Sequence, residues 1–216
     1  MPLYLQIAQR EQAQDKPYIS CTRIAEECHL DAILVRKDIA STGVVGLARC
    51  GFNIDQLIDA IETFLGWQSE NEAFLVGAGN LGSAITKYKQ FRDHGLMIVA
   101  AFDIDEDKVG TSIETIPIFS MAKLPDLAKR MRVPIGIITV PTEVAQDVAN
   151  MMVAAGFKAL WNFSPIVLQA PAEIVVENVL LSASLGVLTS KLKQQSLHGG
   201  VEKKQIKRKK ETMRKG

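Results

Sequence analysis

A short apolar run, Ala73-Phe74-Leu75-Val76, passes directly into Gly77-Ala78-Gly79-Asn80-Leu81-Gly82 and then into a helix-compatible segment, Ser83 to Asp93. An acid, Asp103, follows twenty-one residues after Gly82, at the end of a second apolar run from Leu96 to Phe102. Each part has a physical job. Gly77 permits a tight turn out of a strand, Gly79 leaves room for a ligand to approach the backbone, and Gly82 lets a helix pack closely on the strand. The first amides of that helix lack intrahelical partners and sit at the positive end of its dipole, which suits a pyrophosphate. Asp103 can accept hydrogen bonds from a ribose, and its charge would repel a 2′-phosphate. The order strand, glycine loop, helix, strand, acid predicts a dinucleotide site that favours NAD(H) over NADP(H).

Beyond Ala73 the same alternation continues. Apolar runs fall at 73–76, 96–102, 116–119, 135–140, 159–163 and 174–179, with helical patterns at 83–93, 121–131 and 142–155. This alternation predicts an α/β architecture, a Rossmann-type parallel sheet with helices on both faces. Thr139-Val140-Pro141 and Asn162-Phe163-Ser164-Pro165 then stand at the carboxyl ends of strands, where such sheets bind their ligands. A last helix, about Leu181 to Gln195, aligns Leu181, Leu185, Leu188 and Leu192 on one stripe that suits a partner subunit.

Residues 1 to about 68 read as helical, with short strands at most. Ser20 can cap a helix through about Cys28 that turns Ile24, Ala25 and Cys28 inward. Asp31 can cap a second helix, Ala32 to Ala40, with Ala32, Val35 and Ile39 inward and Arg36 and Lys37 outward. Two short helices joined by a tight turn at His29-Leu30 form a helix-turn-helix pattern, whose second helix can enter a major groove. Gly43, Gly46 and Gly51 punctuate a segment that suits a β-hairpin wing. Asn53 with Gln56 resembles a capping box opening a helix in which Ile54, Leu57, Ile58, Ile61 and Leu65 recur at helical spacing. Gly66 to Glu72 reads as a linker.

Charge and composition narrow the function classes. No stretch of eighteen apolar residues occurs among the 216, and the opening Met1-Pro2-Leu3-Tyr4 lacks the layout of a secretory signal, so the expectation is a cytosolic protein. Residues 202–216 hold eight basic and two acidic side chains, a net of +6 within a total of +1, and read as a disordered basic tail able to attract phosphate backbones. Cys21, Cys28 and Cys50 form neither a Cys-x-x-Cys nor an even set, which argues against a disulfide framework and a zinc ribbon. Cys21 and Cys28 read as core residues, and Cys50 as a turn residue with no resolving cysteine evident. His29, His94 and His198 stand at no strand's carboxyl end, and no acid–base pair is visible, so no enzymatic chemistry is expected. No metal site is expected either. Trp67 and Trp161 read as packing anchors.

The chain to about Gln195 resembles the Rex family of redox-sensing transcriptional repressors. The matching residues are Pro2-Leu3-Tyr4, Val35-Arg36-Lys37-Asp38-Ile39, Gly43, Gly46, Gly51 and Phe52, Gly77 to Gly82, and Ala100-Ala101-Phe102-Asp103. Thr139-Val140-Pro141, Ala145-Gln146 and Asn162-Phe163-Ser164-Pro165 complete them. The resemblance implies a winged-helix DNA-binding domain at 1–70, an NAD(H)-binding Rossmann domain at 71–179, a swapped dimerisation helix at 180–196 and a basic tail at 197–216. It also implies a homodimer that binds a palindromic operator when NADH is scarce. NADH closes such a dimer, so that its recognition helices no longer match the half-sites. On this chain, Gly77, Ala78, Gly79, Asn80, Leu81 and Gly82 would hold the pyrophosphate and Asp103 the adenosine ribose. Thr139, Pro141, Asn162 and Phe163 would line the nicotinamide end, while Arg36, Lys37 and Arg49 would meet DNA. Residues 1–70 carry six basic against ten acidic side chains, and the wing reads Gly46-Leu47-Ala48-Arg49. These features keep open an alternative, an NAD(H)-binding interaction subunit derived from the family that no longer reads DNA.

Overall fold

The computed structural model describes residues 1–194, so the basic tail lies outside the described residues. The chain forms two compact units, Met1–Asn71 with Tyr88–Met97, and Glu72–Lys87 with the chain from Ile98 onward.

The first unit begins with helix α1 (Pro2–Gln12), followed by a two-residue strand β1 (Tyr18–Ile19), α2 (Cys21–Cys28), α3 (Ala32–Ala40), β2 (Phe52–Asn53) and α4 (Ile54–Leu65). Side-chain caps start three of these helices: Ser20 Oγ accepts from the Arg23 amide at 3.1 Å, Asp31 Oδ1 from Ile33 at 2.6 Å and Asn53 Oδ1 from Gln56 at 3.0 Å. His29, in the left-handed conformation at φ 54°, ends α2 and turns the chain toward α3. Leu5 and Ala8 of α1, Ile24 of α2, Val35 and Ile39 of α3, and Leu57 and Ile61 of α4 share one core. Burying each of these leucine, isoleucine and valine side chains stabilises the unit by about 1.5–3 kcal/mol before entropy is counted.

Two polar contacts tie α1 to its neighbours. Tyr4 Oη donates to Asp38 Oδ2 at 2.7 Å, and burial together with this acceptor pushes the phenol up to about 12. Glu11, 3% exposed, accepts from Lys16 and from two nitrogens of Arg23 at 3.0 and 3.1 Å. The Lys16 ammonium and then the Arg23 guanidinium hold its carboxyl below the usual range, against the opposing effect of burial.

The expected β-hairpin wing is reduced to a single bridge, Leu47 to Gly51, beside the two-pair antiparallel ladder of β1 and β2. Left-handed residues at Gly43, Arg49 and Gly51 interrupt extended backbone there, and a turn from Leu47 to Cys50 takes its place.

The second unit carries the sheet. Its strands are β3 (Asn71–Val76), β4 (Leu96–Asp103), β5 (Ser112–Ile113), β6 (Ile116–Ser120), β7 (Ile135–Ile138), β8 (Ala159–Asn162) and β9 (Val175–Asn178), in the spatial order β5-β6-β4-β3-β7-β8-β9. β3 pairs with β7, β7 with β8, β8 with β9 and β4 with β6 in parallel, whereas β5 adds antiparallel to β6 at the edge. That edge strand is not apparent from the apolar pattern. It is two residues long and turns into β6 through Glu114 at φ 53°. The single helix expected at 83–93 is divided into α5 (Asn80–Thr86) and α6 (Gln90–Asp93), the latter belonging to the first unit. Thr86 Oγ1 donates back to the Gly82 carbonyl at 2.9 Å in the last turn of α5. His94, just past α6, stacks on Trp67 with ring centroids 3.8 Å apart.

Helices α7 (Leu124–Met131) and α8 (Thr142–Ala155) complete the crossovers. Phe74 and Phe102 of adjacent strands lie 5.0 Å apart between ring centroids, with Phe157 6.0 Å from Phe74; all three are fully buried at the centre of the core. Residues 181–194 form a last helix on which Leu181, Leu185, Leu188 and Leu192 are each at least 60% exposed. No helix of the described residues is long and apolar enough to cross a membrane.

Glu11 generates a prediction. Its folded-state pKa is lowered, so its contribution to stability is present above the ordinary value of 4.5 and is lost as pH falls through the lowered one. Glu11→Gln should cost about 1–3 kcal/mol at neutral pH, because Lys16 and Arg23 lose a charged acceptor. It should also flatten the acid limb of the stability curve. Urea unfolding between pH 3 and 7, followed by Trp67 fluorescence in a Trp161→Phe background, measures both.

Candidate nucleotide-binding site

The sheet winds in opposite directions on either side of the β3–β7 pair, and in open sheets of this kind the crevice beyond the strand ends at that reversal receives ligands. A cavity of about 550 Å³ lies there. Its floor is made by Val76 and Gly77 at the end of β3, Phe102 and Asp103 at the end of β4, and Thr139 and Val140 after β7.

The glycine loop is shaped by close contacts. Gly77 has φ 100°, and a Cβ there would stand 2.8 Å from the Thr139 carbonyl oxygen. Gly82 is tighter still, since a Cβ would lie 2.0 Å from the Gly77 carbonyl oxygen and 2.9 Å from Thr139 Oγ1. Gly79 differs: it caps α5 in extended backbone, and nothing lies within 4 Å of where its Cβ would be. So two glycines serve packing, and the middle one keeps space open at the cavity wall.

Asp103 is buried and holds this loop from the side. Its Oδ2 accepts from the Ala78 amide at 2.8 Å and its Oδ1 from the Asp105 amide at 2.9 Å. Lys108 Nζ stands 3.6 Å from Asp103 Oδ2 and 3.0 Å from Asp105 Oδ2. The hydrogen bond between Lys108 and Asp105 lowers the Asp105 carboxyl and raises the Lys108 ammonium. Thr139 Oγ1 lies 3.0 Å from the Val76 carbonyl and 2.8 Å from that of Gly77, sharing its one proton between them.

Of the residues singled out in the sequence, Gly77, Gly79, Asp103, Thr139 and Pro141 line the cavity. Asn80 and Leu81 are exposed at the start of α5, beside the Ala78 amide and buried Gly82. Asn162 and Phe163 are not brought to the cavity wall. Asn162 is fully buried; its Nδ2 donates to Asn178 Oδ1 at 2.9 Å and to the Ile166 carbonyl at 2.8 Å, and its Oδ1 accepts from the Ser164 amide. It stitches β8 to β9 and to the loop that follows β8. Phe163 packs on Trp161, with ring centroids 4.8 Å apart.

Sequence reasoning missed Lys108 and the far wall, which comprises Met121 with Val144, Asp147, Val148 and Met151 of α8. The spacing of the α8 residues, three and four apart, marks one face of a helix and was the available signal.

In the first unit, Arg36 and Lys37 are exposed on α3. A recess of about 630 Å³ separates α3 from the wing, and Arg36 and Arg49 both line it. Arg36, Lys37 and Arg49 are thus presented on a helix and a turn that flank one concave surface.

Residues 1–40 match the family model described as "Putative DNA-binding protein N-terminus", and residues 68–166 match "CoA binding domain". The redox-sensing transcriptional repressor Rex of Treponema denticola is 44% identical over 87% of this chain and 90% of its own length. That of Bacteroides fragilis is 38% identical over 89% and 87%. A crystal structure of RSP in complex with NAD⁺ and operator DNA matches with a TM-score of 0.85 and 31% identity, covering 93% of both chains. RSP in complex with NADH matches with a TM-score of 0.83 and 30% identity, covering 93% of this chain and 94% of that one. Relatives this similar over nearly their whole length decide the family: the chain belongs to the Rex family of redox-sensing transcriptional repressors.

Proposed function

We propose that this protein is a homodimeric repressor that binds operator DNA through the helix-turn-helix unit and releases it when NADH occupies the β3–β7 crevice. One observation carries the nucleotide half of this reading. Gly79 is the glycine of the loop whose Cβ position meets open space, and it lines the same cavity as Asp103. The residues fit the ligand class. Open backbone at Gly79 and the first amides of α5 suit a diphosphate, and the acid at the end of β4 suits a ribose diol. The bound dinucleotide supplies a nicotinamide whose redox state is the signal. Thr139 and Pro141 border the cavity beyond β7 and would bound that ring.

The DNA half rests on Arg36 and Lys37, exposed on the second helix of the pair, with Arg49 across the recess. The exposed leucine stripe of the last helix supports a second copy of the chain as its partner, since an apolar row this long is costly to leave in water. We read the site as a sensor and not as a catalytic centre, in keeping with relatives that carry repressor names over most of their length.

Linkage then sets the regulation. If NADH lowers operator affinity, operator DNA lowers NADH affinity by the same factor, and a coupling of about 3 kcal/mol corresponds to roughly 150-fold. Selection from random DNA should enrich a palindrome in the presence of NAD⁺ and lose it in the presence of NADH. Failure to enrich any sequence at moderate salt would overturn the repressor reading in favour of an NAD(H)-binding interaction subunit.

Two glycine substitutions separate folding from binding. Gly82→Ala should destabilise the protein by at least about 2 kcal/mol through the clash with the Gly77 carbonyl. Gly79→Ala should leave thermal unfolding nearly unchanged and weaken NADH binding at least about tenfold, a loss of roughly 1.4 kcal/mol. Differential scanning fluorimetry and calorimetric titration with NADH measure the two effects.

A further inference from the structure

Two cysteines twenty-nine residues apart in sequence line one recess of the first unit. The β1–β2 ladder pairs Tyr18 with Asn53 and Ile19 with Phe52. Carrying that register one step further sets Ser20 against Gly51, and the approach there is close: a Cβ on Gly51 would lie 3.1 Å from Ser20 Cα and 2.2 Å from the Ile19 carbonyl oxygen. The next step falls on Cys21 and Cys50. The ladder itself stops at Ile19 because Ser20 caps α2, yet both cysteines line the same recess between α2, α3 and the wing. Both are free thiols, Cys21 buried and Cys50 exposed. The wing residues 45–50 are all exposed, so no buried side chain anchors Cys50 in its turn.

We propose that Cys21 and Cys50 form a peroxide-responsive thiol pair that closes to an intrachain disulfide between the first helix of the helix-turn-helix and the wing. A hydroperoxide is the oxidant. The Cys50 thiolate attacks its O–O bond; an S–O bond forms, the O–O bond breaks and the departing oxygen leaves as water or alcohol. The Cys21 sulfur then attacks the sulfenic sulfur, the S–S bond forms, and the S–O bond breaks with loss of a second water. Two thiols are oxidised and one peroxide is reduced. A wing movement that brings the two Cα atoms within about 4.4–6.8 Å meets the geometric requirement of the bond. Cys28 lies on the same helix, does not line the recess, and has its thiol pushed up by burial, which makes it the internal control.

Closure draws the wing, with Arg49, into the recess that Arg36 also lines. Its effect on operator affinity rests on the DNA-binding reading, whereas the cross-link does not. Arg23, Arg36 and Arg49 place the three cysteines on separate tryptic peptides, so the bond can be mapped directly. The full-length protein is treated with hydrogen peroxide, alkylated with N-ethylmaleimide, digested and analysed by mass spectrometry. A linked pair carrying Cys21 and Cys50 is expected, reversed by dithiothreitol, absent in Cys50→Ser and kept in Cys28→Ser. Cys50→Ser lies in an exposed turn and spares the core. Separate alkylation of Cys21 and Cys50, stepwise oxidation of Cys50 to the sulfinic acid, or a link between two chains overturns the proposal. In parallel, peroxide should weaken operator binding at least tenfold in the native protein and leave Cys50→Ser unchanged. A mapped cross-link with unaltered operator binding would refute the regulatory half alone.

Discussion

The loop from Val76 to Gly82 is held by groups it does not contain, and the candidate nucleotide site depends on that clamp. Thr139, arriving on β7, fixes the Val76 and Gly77 carbonyls through one hydroxyl. Asp103, arriving on β4, fixes the Ala78 amide. Between these anchors the backbone must come so close to α5 that only hydrogen fits at Gly82. The remaining opening is at Gly79. A preorganised concavity of this kind costs little further ordering when a ligand binds, which is how a small cavity can reach useful affinity.

Asp103 has one structural duty and, in the proposed function, a second. Both of its oxygens already accept backbone hydrogen bonds, and Lys108 balances the local excess of negative charge from Asp103 and Asp105. Its remaining lone pairs are the ones that can face a ribose, because each carboxylate oxygen accepts more than one bond. In the proposed function the same residue therefore positions the loop and offers the acceptor. The first unit has a comparable economy. Tyr4 and Asp38, from the opening segment and from the second helix of the pair, meet in one hydrogen bond that sets α3 relative to α1. That bond holds the α3 scaffold from which Arg36 and Lys37 project.

Most of the architecture was legible in the residues. The caps Ser20, Asp31 and Asn53, the helix α3 with Val35 and Ile39 inward, and the alternation of the second unit all follow from local preferences that tertiary packing reinforces. The misreadings lie where local signals conflict. The 83–93 helix is divided between Thr86 and Gln90, and the wing forms a turn in which Gly43, Arg49 and Gly51 adopt positive φ. In the site, Gly77, Gly79, Asp103, Thr139 and Pro141 converge as their strand-end positions implied. Asn162 turns inward, since a buried amide beside Asn178 and the Ile166 carbonyl is satisfied by them before any ligand arrives.

The sequence by itself determined the family, the order of elements, the glycine loop and its acid, because spacing along the chain encodes local backbone geometry and helix or strand periodicity. Only the tertiary structure decided that Lys108 joins Asp103, that one face of α8 walls the cavity, and that Cys21 and Cys50 line one recess. Those juxtapositions depend on how strands order in a sheet and how a turn folds back on a helix. Such contacts join residues far apart in the chain, and no periodicity along it records them.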